Sequence, residues 1–239
     1  MKVAAELSAQ RWTFLLRVRR ISGFLLVGIL LIVVANVVAG FVQLFTGRQV
    51  PVMLDLAREA NLPTWYTSVL TILAGALTAL VGKVEKARGG PHLLHWWGLT
   101  LTMTWISIDE MLTFHELGDE LVPSWMIEPF GAWIHVHPWV IIGLPLVVLF
   151  AIVYLPFLRS VPARTRKWMV AGGAVYVTGA LGGESLHGMI NTYHGGGVLT
   201  SLVVLFEESI EMVGIVMFIH GLLSHLTGRN GTFSLHLHA

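Results

Sequence analysis

Seven of the fourteen acidic side chains, Asp109, Glu110, Glu116, Glu184, Glu207, Glu208 and Glu211, lie inside long apolar stretches. No Lys or Arg falls between residues 89 and 158 or between 168 and 228, so these acids have no cationic side chain nearby in sequence. A carboxylate in hydrocarbon costs at least about 2.5 kcal/mol even on the most lenient scale. Bound cations offset that cost, and so do protons shared between acids, since burial raises carboxyl pKa values. Carboxylates with imidazoles make a hard oxygen and nitrogen ligand set that suits Fe, Mn or Zn and disfavours copper(I). Cysteine is absent, which excludes thiolate ligands, thiol nucleophiles and disulfides together.

Helical spacing turns these acids into groups. In WISIDEMLTFHE, Asp109 and Glu116 stand seven residues apart and share a helix face with Thr113, flanked by Glu110 and His115. In GGESLHGMINTYH, Glu184, His187, Asn191 and His194 recur at steps of three and four residues. In FEESIEM, Glu208 and Glu211 are three apart and Glu207 and Glu211 four apart. The expected metal ligands are Asp109, Glu116, Glu184, His187, Glu208 and Glu211. Glu110, His115 and His194 are expected to act as catalytic groups or to orient the ligands. His135 and His137, at the outer mouth of the fourth span, read first as interfacial residues, with completion of a coordination sphere as the alternative. His92, His95, His220 and His225 fall towards the opposite end, and His236 and His238 lie in the tail. So many donors exceed the need of one tetrahedral zinc, and two divalent ions bridged by carboxylates account for the excess, iron first, then manganese or zinc. The Glu-x-x-His pair at Glu184 and His187 resembles in part the device of ferritin-like carboxylate proteins, which hold two metals inside a helix bundle. The last apolar stretch offers Glu-x-x-Glu where that pattern repeats Glu-x-x-His.

These residues must be positioned by membrane helices. The chain is 55% hydrophobic and 12% charged, against about 25% charged in an ordinary soluble domain. A spanning helix needs roughly 20 apolar residues, and six such stretches are predicted, at 21–46, 63–83, 92–117, 138–158, 167–193 and 198–226. The fold class expected is all-α, a six-helix transmembrane bundle over 21–226. It is preceded by a basic amphipathic segment, 1–20, and followed by a tail, 227–239. The first stretch is longer than the apolar core of a cleavable signal peptide and reads as a retained span. All lysines and arginines except Arg48 and Arg58 fall in segments that alternate to one side, so both termini are expected to be cytoplasmic. The acids then sit towards the outer face. Residues 48–62 show some amphipathic helical character, and 118–137 form a Trp- and Pro-rich outer loop. Trp65, Trp125, Trp133, Trp139 and Trp168 fit interfacial belts, and Gly182 and Gly183 suggest close helix packing.

The expectation is an integral membrane oxidoreductase with a dinuclear centre, in a bacterial inner membrane with the site towards the periplasm. Its partners are membrane lipids and a hydrophobic small-molecule substrate. Basic loops between apolar spans give no nucleic-acid surface. A divalent cation or proton transporter is the alternative, and it requires polar groups continuing towards the cytoplasmic side, where the spans look almost uniformly apolar. A zinc-dependent intramembrane hydrolase is a further alternative.

Overall fold

The computed structural model describes residues 11–56, 58, 61–131, 137–195, 197–227 and 232–238. The described residues are overwhelmingly helical. Helix α1 (Val18–Thr46) is followed by a 3-10 turn at Val52–Leu54, α2 (Leu62–Ala87) and α3 (Leu93–Leu112). Two short helices, α4 (Phe114–Leu121) and α5 (Ser124–Ile127), lead through another 3-10 turn to α6 (Val140–Ser160). Helix α7 (Ala163–Val177) runs through a π-helical segment (Thr178–Gly183) directly into α8 (Glu184–His194), and α9 (Val198–Thr227) completes the bundle.

Strand β1 (Arg11–Arg17) pairs antiparallel with β2 (Thr232–His238), with Trp12 opposite Leu237, Phe14 opposite Leu235 and Leu16 opposite Phe233. This short ribbon lies at the two ends of an otherwise all-helical fold, as the sequence predicts, and its source is the two-residue alternation in TFSLHLH. It joins the segments that flank the bundle on either side.

Local chemistry sets the helix ends. Asn61 caps α2 by accepting from the Thr64 backbone N–H at 3.0 Å, with Pro63 in the first turn. Helix α3 stops at Thr113, which takes a left-handed conformation at φ 49°. The expected continuous helix over 92–117 is therefore broken, and Asp109 and Glu116 do not share one helix face. The physical reason is a competing acceptor: the Asp109 carboxylate takes the His115 backbone N–H at 2.9 Å, which holds the chain in the turn. In the 48–62 loop, the described residues form a 3-10 turn rather than an amphipathic α-helix.

Among the described residues, three helices are long and apolar enough to cross a membrane: α1, α2 and α6. The remaining long segments, α3, the α7–α8 rod and α9, carry six of the seven acids, and Glu116 lies on the short α4. Only 6% of the most apolar window of α6 is buried, and α1 and α6 turn Phe24, Leu31, Leu146 and Ile152 outward. Such a surface is compatible with lipid. Short turns between successive helices give the bundle two ends. One, the cavity end, gathers the starts of α2, α6 and α9 with the ends of α3 and α8. The far end gathers Lys83, Lys86, Arg88, Arg159, Arg164, Arg166 and Lys167. The core between them is centred on α9, where Met212, Ile219 and Leu222 are fully buried against Leu70 and Val81 of α2 and Phe157 of α6.

Candidate metal centre

The acids are brought together by backbones that approach very closely. A Cβ added to Gly179 would lie 2.6 Å from Glu211 Cγ, and one added to Gly183 would lie 2.5 Å from Glu207 Cγ. Both glycines belong to the π-helical segment, whose wider turn seats the α7–α8 rod on α9. Gly182, by contrast, is exposed and meets nothing closer than Thr178 Cγ2 at 3.8 Å.

Behind this seam is a cavity of about 350 Å³. All seven acids, Asp109, Glu110, Glu116, Glu184, Glu207, Glu208 and Glu211, line it, together with His115, His137, His187 and Asn191. No Lys or Arg is among the lining residues. Glu207 and Glu211 are each only 8% exposed. Asn191, Gly197 and Ser201 also line it and are exposed, so the cavity opens beside the turn between α8 and α9.

His137, Glu184 and His187 form its tightest group, with one donor atom from each lying within 4.8 Å of the others. His137 Nδ1 stands 2.6 Å from Glu184 Oε2, and the two imidazole rings are 5.0 Å apart. The Glu184 contact lacks hydrogen-bond geometry: Glu184 Oε2 and His137 Nε2 are both buried without a hydrogen-bond partner. A buried ring nitrogen left without a partner, on an imidazole set against a carboxylate, is compatible with a cation site.

Asp109 is engaged differently. Besides the backbone N–H of His115, it meets the His115 ring, with Oδ2 3.0 Å from Nδ1. The carboxylate thereby fixes the orientation of that imidazole, whose ring lies 5.2 Å from Trp139. The Trp139 backbone N–H donates to Asp119 Oδ1 at 2.8 Å and ties α4 to the start of α6. Burial pushes the Asp119 carboxyl above its usual range, opposed by that N–H, which favours the anion.

His194 is exposed at the end of α8 and is not among the cavity residues. The i+10 step from Glu184 takes it beyond the rim. His137, read from sequence as interfacial or as completing the coordination sphere, meets Glu184, and Trp139 lines the cavity. A signal for His137 exists in its position just ahead of the apolar run of α6, at the height of the acids. His135 and Trp133 lie outside the described residues.

The chain belongs to the family described as domain of unknown function DUF8692, which it matches over residues 12–226. No curated protein and no solved structure matches it.

Proposed function

We propose that this member of the family is a six-span integral membrane metalloprotein that oxidises a hydrophobic substrate at a dinuclear centre. The spans are α1, α2, α3, α6, the α7–α8 rod and α9, with the basic far end in the cytoplasm and the cavity near the outer face. Segregation of the basic residues to the far end supports that orientation, and pairing of the two flanking segments in one ribbon supports an even number of crossings.

One observation carries the metal assignment: the acids of the apolar stretches and three histidines line a single cavity that has no cationic side chain. His137, Glu184 and His187 would hold one ion, and Glu207, Glu208 and Glu211 with Glu110 would hold or bridge a second. Bound iron would supply two-electron oxidation. The chain's own residues orient and neutralise: Asp109 steadies His115, and the α9 acids balance the cationic charge. Membrane lipids surround α1 and α6, and an apolar substrate reaches the opening between α8 and α9 from the outer leaflet.

The trio itself favours a second reading. Two histidines and one glutamate are also the ligand set of catalytic zinc sites that keep an open position, and a zinc hydrolase would use the same cavity. Elemental analysis of protein purified in mild detergent, with optical and EPR spectra, separates the readings. Two irons per chain support the oxidative one, and one zinc supports the hydrolytic one. Absence of stoichiometric metal after reconstitution with each ion would overturn both.

A further inference from the structure

Outside the cavity, the longest run of buried polar side chains lies on one face of α2. Thr64, Thr67, Ser68, Thr71 and Thr78 recur at the steps that stack side chains along a helix, and each is at most 8% exposed. The facing helix answers with hydroxyls of its own. Ser107 Oγ is 3.0 Å from Ser68 Oγ, and Thr100 Oγ1 is 3.1 Å from Thr78 Oγ1. Between those pairs the α2 face has Gly75, and a Cβ there would lie 3.3 Å from Thr104 Oγ1, so a third α3 hydroxyl occupies the interval.

The stripe has chemistry at both ends. Thr64 lines the carboxylate cavity. Two turns beyond Thr78 stands Glu85, with Oε1 3.1 Å from His225 Nε2 of α9 and 3.4 Å from Arg88 Nη1. From Thr64 to Glu85 the helix rises about 32 Å, close to the roughly 30 Å of a bilayer's hydrocarbon.

Hydroxyls in apolar helices ordinarily bond a carbonyl one turn back, as Thr71 does to Thr67 O at 2.8 Å and Thr78 to Gly75 O at 2.7 Å. A seam made only for packing would leave no polar atom unsatisfied. Here Thr67 Oγ1, on a residue with no exposure, has no partner. At the far end, Ser224 Oγ and His225 Nδ1 are also buried without partners, the His225 side chain being 7% exposed. Each such atom costs about 1–3 kcal/mol unless water reaches it.

We propose that the seam between α2 and α3 conducts protons between the Glu85–His225 pair and the carboxylate cavity. A proton enters at one end, and each hydroxyl or transient water passes one forward as it accepts one from behind, so every group is restored after a passage. Between Thr78 and Glu85 the seam is closed by Val81 and Trp96, both buried, and water must bridge that step. At the far end Glu85 meets His225 and Arg88, and the other charged and titratable groups of that end are Lys83, Lys86, Arg159, Arg164, Arg166 and Lys167 with His92, His95 and His220. The interval from Thr64 to Thr78 on α2 carries hydroxyls and no carboxylate, which suits a proton rather than a metal ion. This inference requires α2 to cross the membrane and does not depend on which metal the cavity holds.

The test is proton flux into liposomes that contain the full chain and an internal pH-sensitive dye, driven by a potassium gradient with valinomycin. Wild type should conduct above protein-free vesicles. Thr67→Val, Thr78→Val and Glu85→Gln should fall to the protein-free rate, while Thr67→Ser and Thr78→Ser retain wild-type flux. Equal metal content and monodisperse elution of the variants separate a lost path from a lost fold. Wild-type flux no greater than that of empty vesicles, or valine variants that conduct as wild type does, would overturn the proposal. Conduction by protein without metal would leave it standing and count against the metal centre alone.

Discussion

The α7–α8 rod and α9 meet along a seam of glycines that serves two purposes at its two ends. Near the cavity, Gly179 and Gly183 face the side chains of Glu211 and Glu207. Further along, Gly172 and Gly214 face backbone: a Cβ on Gly172 would lie 2.6 Å from Gly214 O and Phe218 N, and one on Gly214 would lie 2.5 Å from Tyr176 N. Close approach is common to both regions. What fills the space behind it differs: Met212, Phe218 and Ile219 in one, carboxylates in the other. The first region is ordinary core, stable because apolar atoms pack. The second is stable only if something compensates its charge, and that difference marks the functional end of the molecule.

The sharpest way to break the comparison is to remove ligands. Glu184→Ala, His187→Ala and His137→Ala should each abolish stoichiometric metal, measured on purified protein, whereas Glu120→Ala and His194→Ala should leave it intact. The inclusion of His137, an alternative in the sequence, rests on its contact with Glu184 and is the most discriminating of the set.

Next come the glycines. Gly172→Ala and Gly214→Ala force backbone apart and should each cost about 1–3 kcal/mol or more of stability, read as a lowered Tm, with metal content per folded chain unchanged. Gly179→Ala and Gly183→Ala should cost a similar amount and also lower metal occupancy, because the added methyl displaces Glu211 or Glu207. If both pairs lower Tm alike and neither changes metal content, the two regions do not differ as described.

A smaller effect is expected at Asp109. Asp109→Ala removes the acceptor of two His115 contacts and should cost about 1–3 kcal/mol, with metal retained at reduced affinity. Smallest is Thr113→Gly: a β-branched residue at φ 49° is strained, and relief offset by chain entropy should raise stability by no more than about 1 kcal/mol.

Much of this was legible in the sequence because hydropathy and helical spacing are local. The six apolar stretches correspond closely to helical segments, and the depth argument gathered acids from three of them. Four features were not legible. The break at Thr113 depends on Asp109 reaching His115, a contact between side chain and backbone that competes with the helix and leaves no periodic trace. The place of His137 depends on how α6 enters the bundle, which sequence alone does not fix. The hydroxyl stripe on α2 was present in the residue types, but reading each span by mean hydropathy averaged it away; only the burial of Thr67, Thr71 and Thr78 distinguishes a seam from a scatter of threonines. The ribbon of β1 and β2 was similarly hidden, although its two-residue alternation is visible once the segments are known to pair.

The most direct test is metal stoichiometry of the purified full chain beside Glu184→Ala and His187→Ala, by elemental analysis with EPR. The account predicts bound divalent ions in wild type, two iron atoms per chain in its leading form, and loss of at least the ion held by His137, Glu184 and His187 in each variant at unchanged folding. Wild-type protein that binds no iron, manganese or zinc, or variants that keep their full complement, would contradict it.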